Sequence, residues 1–430
     1  MLLNRPVDFT LNLLKQSVSI LYLQKGKINE LFKALQGNAK VLLITEPFFS
    51  IPMLWCATYI PLYMAALGLS KMQIGWITSI ALVPQIIGLI LGGYLADIWG
   101  RKKVVMFFDI ICWITPFIIL LISQNIWDVL IAVCIWNFSW IVAPGWSCLF
   151  IENTEIEKRP LLFSMFQIFI MGCGLFLPIA GIIIKAFGIL DGCRILFGIT
   201  ILSTSFALII RQKNLVETKA EVSNVNLQNN FIKEYIPIIK KIFTNKDLMF
   251  FLIIQVLSWF TAIAWSTYSP IYITDEKGIG IDKSSVSIVP FVFSGVLISL
   301  MLLMPPFDMG KKLKNRLLQG VRLSVLASII FLISPSQTMV FLVISTFISA
   351  LGVALFRPVF DAYGANIMKD SERAKISAVI LVLSTLFSIP SAPIAGKLYE
   401  IDPKLPFLFI LGLQFATILF IQSKIKKIEL

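Results

Sequence analysis

The residues of this chain best placed to do chemistry are ionisable side chains set inside long apolar stretches. Arg357 and Asp361 lie four apart with Pro358 between them, so one helical face carries both, they can pair, and the proline can bend their helix. Glu46 and Asp109 each fall about one turn inside a different apolar stretch. A charge at the centre of a bilayer costs at least about 2.5 to 3.5 kcal/mol, so such residues mark ion or substrate paths unless they pair structurally or snorkel to the interface. The chain contains no His, so proton carriage would fall to a buried carboxylate. Asp361 and Glu46 are the expected carriers, with Asp109 beside them. The competing reading of Arg357 and Asp361 is a structural ion pair.

Trp55, Asn137, Trp140, Gln255 and Trp259 supply ring faces and amide groups on the same stretches, a lining suited to amphipathic or sugar-like solutes. Tryptophans near helix ends also serve as interfacial anchors. Without His no His-based metal site exists, and no metal or other cofactor is expected. The six cysteines show no CxxC spacing and read as small buried hydrophobes. No GxxxxGK(S/T) or GxSxG motif occurs.

The elements that position these residues must be membrane helices. Apolar residues make up 57% of the chain and charged residues 14%, with a mean hydropathy of +0.86, outside the range of water-soluble domains. Twelve apolar runs long enough to cross a hydrocarbon core occupy 41–64, 74–95, 104–123, 127–151, 161–187, 193–211, 248–273, 284–305, 317–334, 338–366, 374–398 and 405–423. The fold class is therefore an all-α polytopic membrane protein. Its expected parts are a cytoplasmic segment 1–40, a six-helix bundle 41–211, a polar cytoplasmic linker 212–246, a second six-helix bundle 247–423 and a cytoplasmic tail 424–430.

The net charge of +13 would point to nucleic acid in a soluble protein, but the placement of the cations decides otherwise. With a cytoplasmic N-terminus, about 29 of the 37 Lys and Arg fall on the cytoplasmic side, so both termini lie inside. Arg101, Lys102 and Lys103, then Lys311, Lys312, Lys314 and Arg316, then Lys424, Lys426 and Lys427 form basic clusters that set topology and meet lipid headgroups. No nucleic-acid role is assigned. Basic residues before the first run argue against a cleaved signal peptide, and Phe9, Leu13, Leu14 and Ile20 form an imperfect apolar face there.

The two halves share local text. Thr58-Tyr59-Ile60-Pro61 returns as Thr267-Tyr268-Ser269-Pro270, at an offset of 209 residues. Ser79 to Pro84 matches Ser285 to Pro290, Pro144 matches Pro358, Arg159 matches Arg373, and Pro178-Ile179-Ala180-Gly181 recurs unchanged as Pro393-Ile394-Ala395-Gly396. Order is kept throughout, which describes one duplicated six-helix unit whose copies enter the membrane from the same side. Pro178, Gly181, Pro393 and Gly396 read as residues that kink helices and let them pack closely.

Gly93-Tyr94-Leu95-Ala96-Asp97-Ile98-Trp99-Gly100-Arg101-Lys102 places an acid, a turn and cations between two apolar runs. This GxLADxxGRK spacing resembles the loop between helices two and three of the major facilitator superfamily of secondary transporters. The resemblance, over roughly residues 41–423, implies two six-helix bundles around a central cavity lined by helices one, four, seven and ten. It also implies a charge relay of Asp97, Arg101 and Glu152 at the gate, flanked by Gly93 and Gly100, in which Asp97 docks on the N-terminus of helix eleven when that gate is closed. Ile98 stands where a basic residue is often found, and Asp308-Met309-Gly310-Lys311-Lys312 is an eroded second copy. Cys173 to Ile182 keeps only part of the GxxxGPxxGG pattern of drug:proton antiporters.

The activity these features imply is a non-enzymatic one, alternating-access transport of a small organic solute by a monomer in the cell membrane, coupled to protons or another ion. Proton-linked efflux of amphipathic or drug-like compounds comes first, and uptake of a sugar or metabolite second. A transport-dead receptor and a polytopic membrane enzyme are the readings from other classes. Carboxylates spread over helices one, three and ten disfavour the enzyme.

Overall fold

The computed structural model describes residues 35–152, 154–155, 159–218, 231–303, 313–369 and 372–424. The apolar face proposed within 1–34, the eroded motif at 308–312 and the cations Lys426 and Lys427 lie outside them. Spans one to four are Gly37–Ala66, Lys71–Trp99, Arg101–Ile122 and Ile126–Ile151. The next apolar helix runs Met165–Asn214 over 50 residues, about 75 Å at 1.5 Å per residue, too long for one crossing of a core about 30 Å thick. It divides at Gly188, whose φ of 76° and ψ of 178° are non-helical, and the chain turns back so that Gly192 lies against Ile184. Spans five and six are the two arms. Spans seven to twelve are Lys246–Thr274, Lys283–Leu300, Lys314–Leu332, Met339–Ile367, Arg373–Ile401 and Leu405–Ser423.

Several spans break where proline removes a backbone donor. Span three is interrupted at Ile114 before Pro116, and span four passes through a 3-10 turn at Phe138–Val142 before Pro144. Span five does the same at Gly174–Phe176 before Pro178. Span eleven is cut between Ser388 and Ser391, around Pro390. Proline breaks of this kind bend helices.

Buried side chains form three cores. One is confined to the first bundle, with Val104, Val105, Leu149, Phe150 and Leu162. A second lies in the second half of the chain and includes Phe250, Phe251, Phe360 and Ile380. The third joins both bundles through Tyr59, Tyr63, Phe197, Tyr268, Tyr272 and Phe407. This core cements the two halves at one end of the molecule. At the other end a helix at Phe231–Thr244 precedes span seven, and its Ile238 and Ile242 pack into the second-half core.

Candidate functional site

The shared text of the two halves builds the closed end. Tyr59 and Tyr268, equivalent in the repeat, both reach into the opposite bundle. Tyr59 Oη donates to the Ser284 carbonyl at 3.1 Å, and Tyr268 Oη lies 2.8 Å from the Lys71 carbonyl and 2.9 Å from that of Ala392. Ser79 donates to the Ile389 carbonyl, and the Met72 N–H donates to Glu400 at 3.0 Å. Two repeated glycines allow the approach. A Cβ on Gly181 would stand 2.5 Å from the Ser284 carbonyl oxygen, and one on Gly396 would stand 2.7 Å from that of Lys71. Pro178 occupies the first turn of the helix carrying Gly181, as Pro393 does for Gly396.

No hydrogen bond or ion pair between described residues joins the bundles at the opposite end, where Asp97 sits exposed without a described partner. Arg101 and Glu152 are paired there within the first bundle. Asp97 therefore does not dock on span eleven in this structure, where the expected contact is not made. Gly93 meets nothing that a Cβ would strike, while Gly100 turns the chain with φ 94°.

Glu217, which the sequence reading passed over, accepts from the backbone N–H groups of Lys102 at 3.0 Å and Lys103 at 3.3 Å. A carboxylate there offsets the positive end of span three. Lys102 Nζ in turn donates to the carbonyls of Gln212 and Leu215, at 2.9 and 2.7 Å. The Asn38 amide exchanges two 2.8 Å hydrogen bonds with the backbone of Val216. The start of the linker is thus pinned between spans one, three and six.

The chemistry of the first bundle centres on Arg211, a residue the sequence reading also passed over. It is 2% exposed. Its Nη1 is 3.2 Å from Asp109 Oδ2 and its Nη2 is 3.1 Å from Glu46 Oε2. Its Nε donates to Thr45 at 2.9 Å, and its Cζ stands 4.0 Å over the Phe49 ring. Glu46 and Asp109, expected on separate helices and counted as dispersed, in fact converge. Ser50 donates to the other Glu46 oxygen at 2.9 Å. Asp109 Oδ1 has no hydrogen-bond partner among the described residues. Two carboxylates around one guanidinium leave an excess negative charge when both are ionised.

The trio forms part of the wall of a cavity of about 470 Å³. The rest of the wall includes Phe49, Trp113, Trp136, Asn137, Trp140 and Trp146. Of the residues expected to contact solute, Asn137 and Trp140 are here. Trp55 is not, because it is 7% exposed in the inter-bundle core and its indole N–H donates to the Phe176 carbonyl at 3.0 Å. Trp259 packs half-buried against the same core.

The second bundle holds a cavity of about 430 Å³ between spans seven, eight, nine, ten and twelve. Hydroxyl groups including Ser258, Thr261, Ser324, Ser328, Ser345 and Thr346 line it. Spans seven, nine, ten and twelve answer in the repeat to spans one, three, four and six, so the two cavities are counterparts with different linings. At the 209-residue offset Glu46 corresponds to Gln255. Gln255 lines a smaller space of about 230 Å³ with Arg357 and Asp361. That pair is formed, at 2.9 Å between Nε and Oδ2, with both side chains about half exposed.

Residues 48–392 match the model of the Major Facilitator Superfamily. Among solved structures, the nucleoside transporter NupG is similar at a TM-score of 0.70 and 14% identity, over 90% of this chain and 99% of that one. A POT family transporter in complex with 5-aminolevulinic acid is similar at a TM-score of 0.65 and 15% identity, over 90% and 94%. None of the curated protein sequences matches. The family match spans most of the chain and the two-bundle architecture accords with it: this protein belongs to the major facilitator superfamily of membrane transporters.

Proposed function

We propose that this chain is a proton-coupled exporter of small amphipathic, drug-like organic solutes, working by alternating access as a monomer in the cell membrane with both termini cytoplasmic. The observation that carries the reading is Arg211 held between Glu46 and Asp109 in the wall of a Trp-lined cavity. One proton brings the trio from net negative to neutral, and in a low-dielectric site that difference is large enough to bias a two-state equilibrium. The charged and titratable groups around the acids are few: Arg211 from span six, Cys112 on span three and Cys173 from span five. The cavity-lining residues of span four are uncharged.

In this orientation the closed end is external and the open end cytoplasmic, so solute would enter the cavity from the cell. Asp97, Arg101 and Glu152 act at the gate without touching solute, and Arg357 with Asp361 stands at the cytoplasmic opening. Uptake of a sugar or other metabolite is the second reading, favoured by the hydroxyl-lined cavity of the second bundle.

The test is flux in liposomes loaded with a pH-sensitive dye, with amphipathic compounds, sugars and other metabolites added in turn. Proton movement that requires one compound class and vanishes in Glu46→Gln or Asp109→Asn, but persists in Asp361→Asn, supports the reading. Labelled solute that crosses without moving protons refutes the coupling. Sugar-driven proton movement transfers the assignment to the second reading.

A further inference from the structure

We infer that the cavity of the first bundle is a site for an aromatic organic cation, a protonated or quaternary amine carried on a ring. The inference rests on the proposed transport reading and names its substrate class. Three independent features of the wall agree.

The first is charge. Glu46 and Asp109 face one compensating cation, Arg211, and no other Lys or Arg among the described residues lines the space. A monovalent cation would complete the balance, whereas an anion would meet an uncompensated carboxylate.

The second is the open acceptor. Asp109 is 2% exposed, its Oδ2 is taken by Arg211, and its Oδ1 has no donor among the described residues. Glu46, by contrast, has both oxygens occupied, by Ser50 and Arg211. Asp109 lines the cavity, so a cationic centre set against that oxygen meets it through charge, and a protonated amine can add an N–H bond as well.

The third is the ring surface. Trp113, Trp136, Trp140 and Trp146 line the cavity with Phe166 and Phe49, and tryptophan faces attract cations most strongly among side chains. The protein's own guanidinium already uses this mode, since Arg211 lies over Phe49 while pairing with the acids. At about 470 Å³ the space lies within the size range of small-molecule sites, and Trp140, 37% exposed, offers a ring on which an entering solute can land. The counterpart cavity of the second bundle has rings of its own, Trp265, Phe331 and Phe356 among them, but its described lining lacks the first two features. Its lining has hydroxyls and a single cation, Arg357, and no carboxylate.

The test is binding to the purified full chain, read by quenching of tryptophan fluorescence, with benzyltrimethylammonium as the cation and neopentylbenzene as its uncharged carbon isostere. The expected result is at least tenfold preference for the cation. Asp109→Asn should reduce the preference to about threefold or less while leaving the isostere's affinity unchanged, which also reports that the variant is folded. Trp140→Ala, at a half-exposed wall position, should weaken the cation more than the isostere. Equal affinity for the two compounds in the wild type, or no binding of the cation, overturns the inference. So does a preference that survives Asp109→Asn, or one that Trp140→Ala leaves unchanged. If the cation binds with this preference but drives no proton movement in liposomes, the coupling reading fails while the site stands. If protons move with neutral compounds alone, the coupling stands and the site is refuted.

Discussion

Removing the guanidinium of Arg211 should be among the most disruptive single changes in the first bundle. The side chain makes two ion pairs of 3.1 and 3.2 Å and a 2.9 Å hydrogen bond to Thr45, and nearly all of its surface is buried. Arg211→Gln would leave two carboxylates facing each other with no cation between them. Breaking a buried pair in this way costs about 3 to 5 kcal/mol, because the remaining charge is stranded out of water. Asp109→Asn should cost much less, since it leaves Arg211 paired one-to-one with Glu46. The double variant Arg211→Gln with Asp109→Asn restores the net charge of the wild-type trio and should recover part of the loss.

The assay is SDS-titrated unfolding in mixed micelles, followed by a thiol-reactive dye. Cys56, Cys112 and Cys193 are fully buried and become reactive when the spans separate. At about 1.4 kcal/mol per decade, a 3 kcal/mol loss is roughly a hundredfold in the unfolding equilibrium. An Arg211→Gln protein within about 1 kcal/mol of Asp109→Asn would refute the argument. So would a double variant less stable than Arg211→Gln alone, because charge balance would then not be what holds the three spans.

Tyr59→Phe and Tyr268→Phe each remove a hydrogen bond to a carbonyl of the opposite bundle, although Ser287 still donates to the Ser284 carbonyl, so the cost is about 0.5 to 1.5 kcal/mol. Each should therefore favour opening of the closed end by roughly 2- to 13-fold, read as faster labelling of a cysteine placed at the buried Ser79; unchanged labelling would remove the tyrosines from the gate. Glu217→Gln weakens the charge-assisted bonds to the Lys102 and Lys103 amides by about 1 kcal/mol, so hydrogen exchange at these two positions should accelerate about fivefold. Asp282, outside the membrane spans, is held below its ordinary value of 3.8 chiefly by hydrogen bonds from Ser284. A depressed acid contributes stability above its unfolded value and loses it as pH falls through its folded value. The 282–287 turn should therefore loosen only below about pH 3.8, and Asp282→Asn should abolish that dependence in amide exchange at Ser284.

The amino-acid sequence alone determined that this is a twelve-span bundle in two copies, because lipid cannot hydrogen-bond a backbone and each crossing needs about 20 apolar residues. Those runs and the repeated Thr-Tyr-x-Pro and Pro-Ile-Ala-Gly text are visible without coordinates. Their purpose is not, since only the packed bundles show Tyr59, Tyr268, Gly181 and Gly396 all meeting the opposite half. Glu46 and Asp109 were legible as buried acids, one at a time, from the cost of charge in a membrane. Arg211 was not, because a cation at the last position of an apolar run reads as an interfacial residue. Its partners are 165 and 102 residues away, and nothing in local composition encodes a meeting of spans one, three and six. Trp55 and Trp140 show the same limit, as equal tryptophans in sequence that tertiary packing sends to a sealed core and to an open wall. Which end of the molecule is closed was likewise decided only in three dimensions, because the shared motifs occur in both halves and the choice depends on which faces of the two bundles touch.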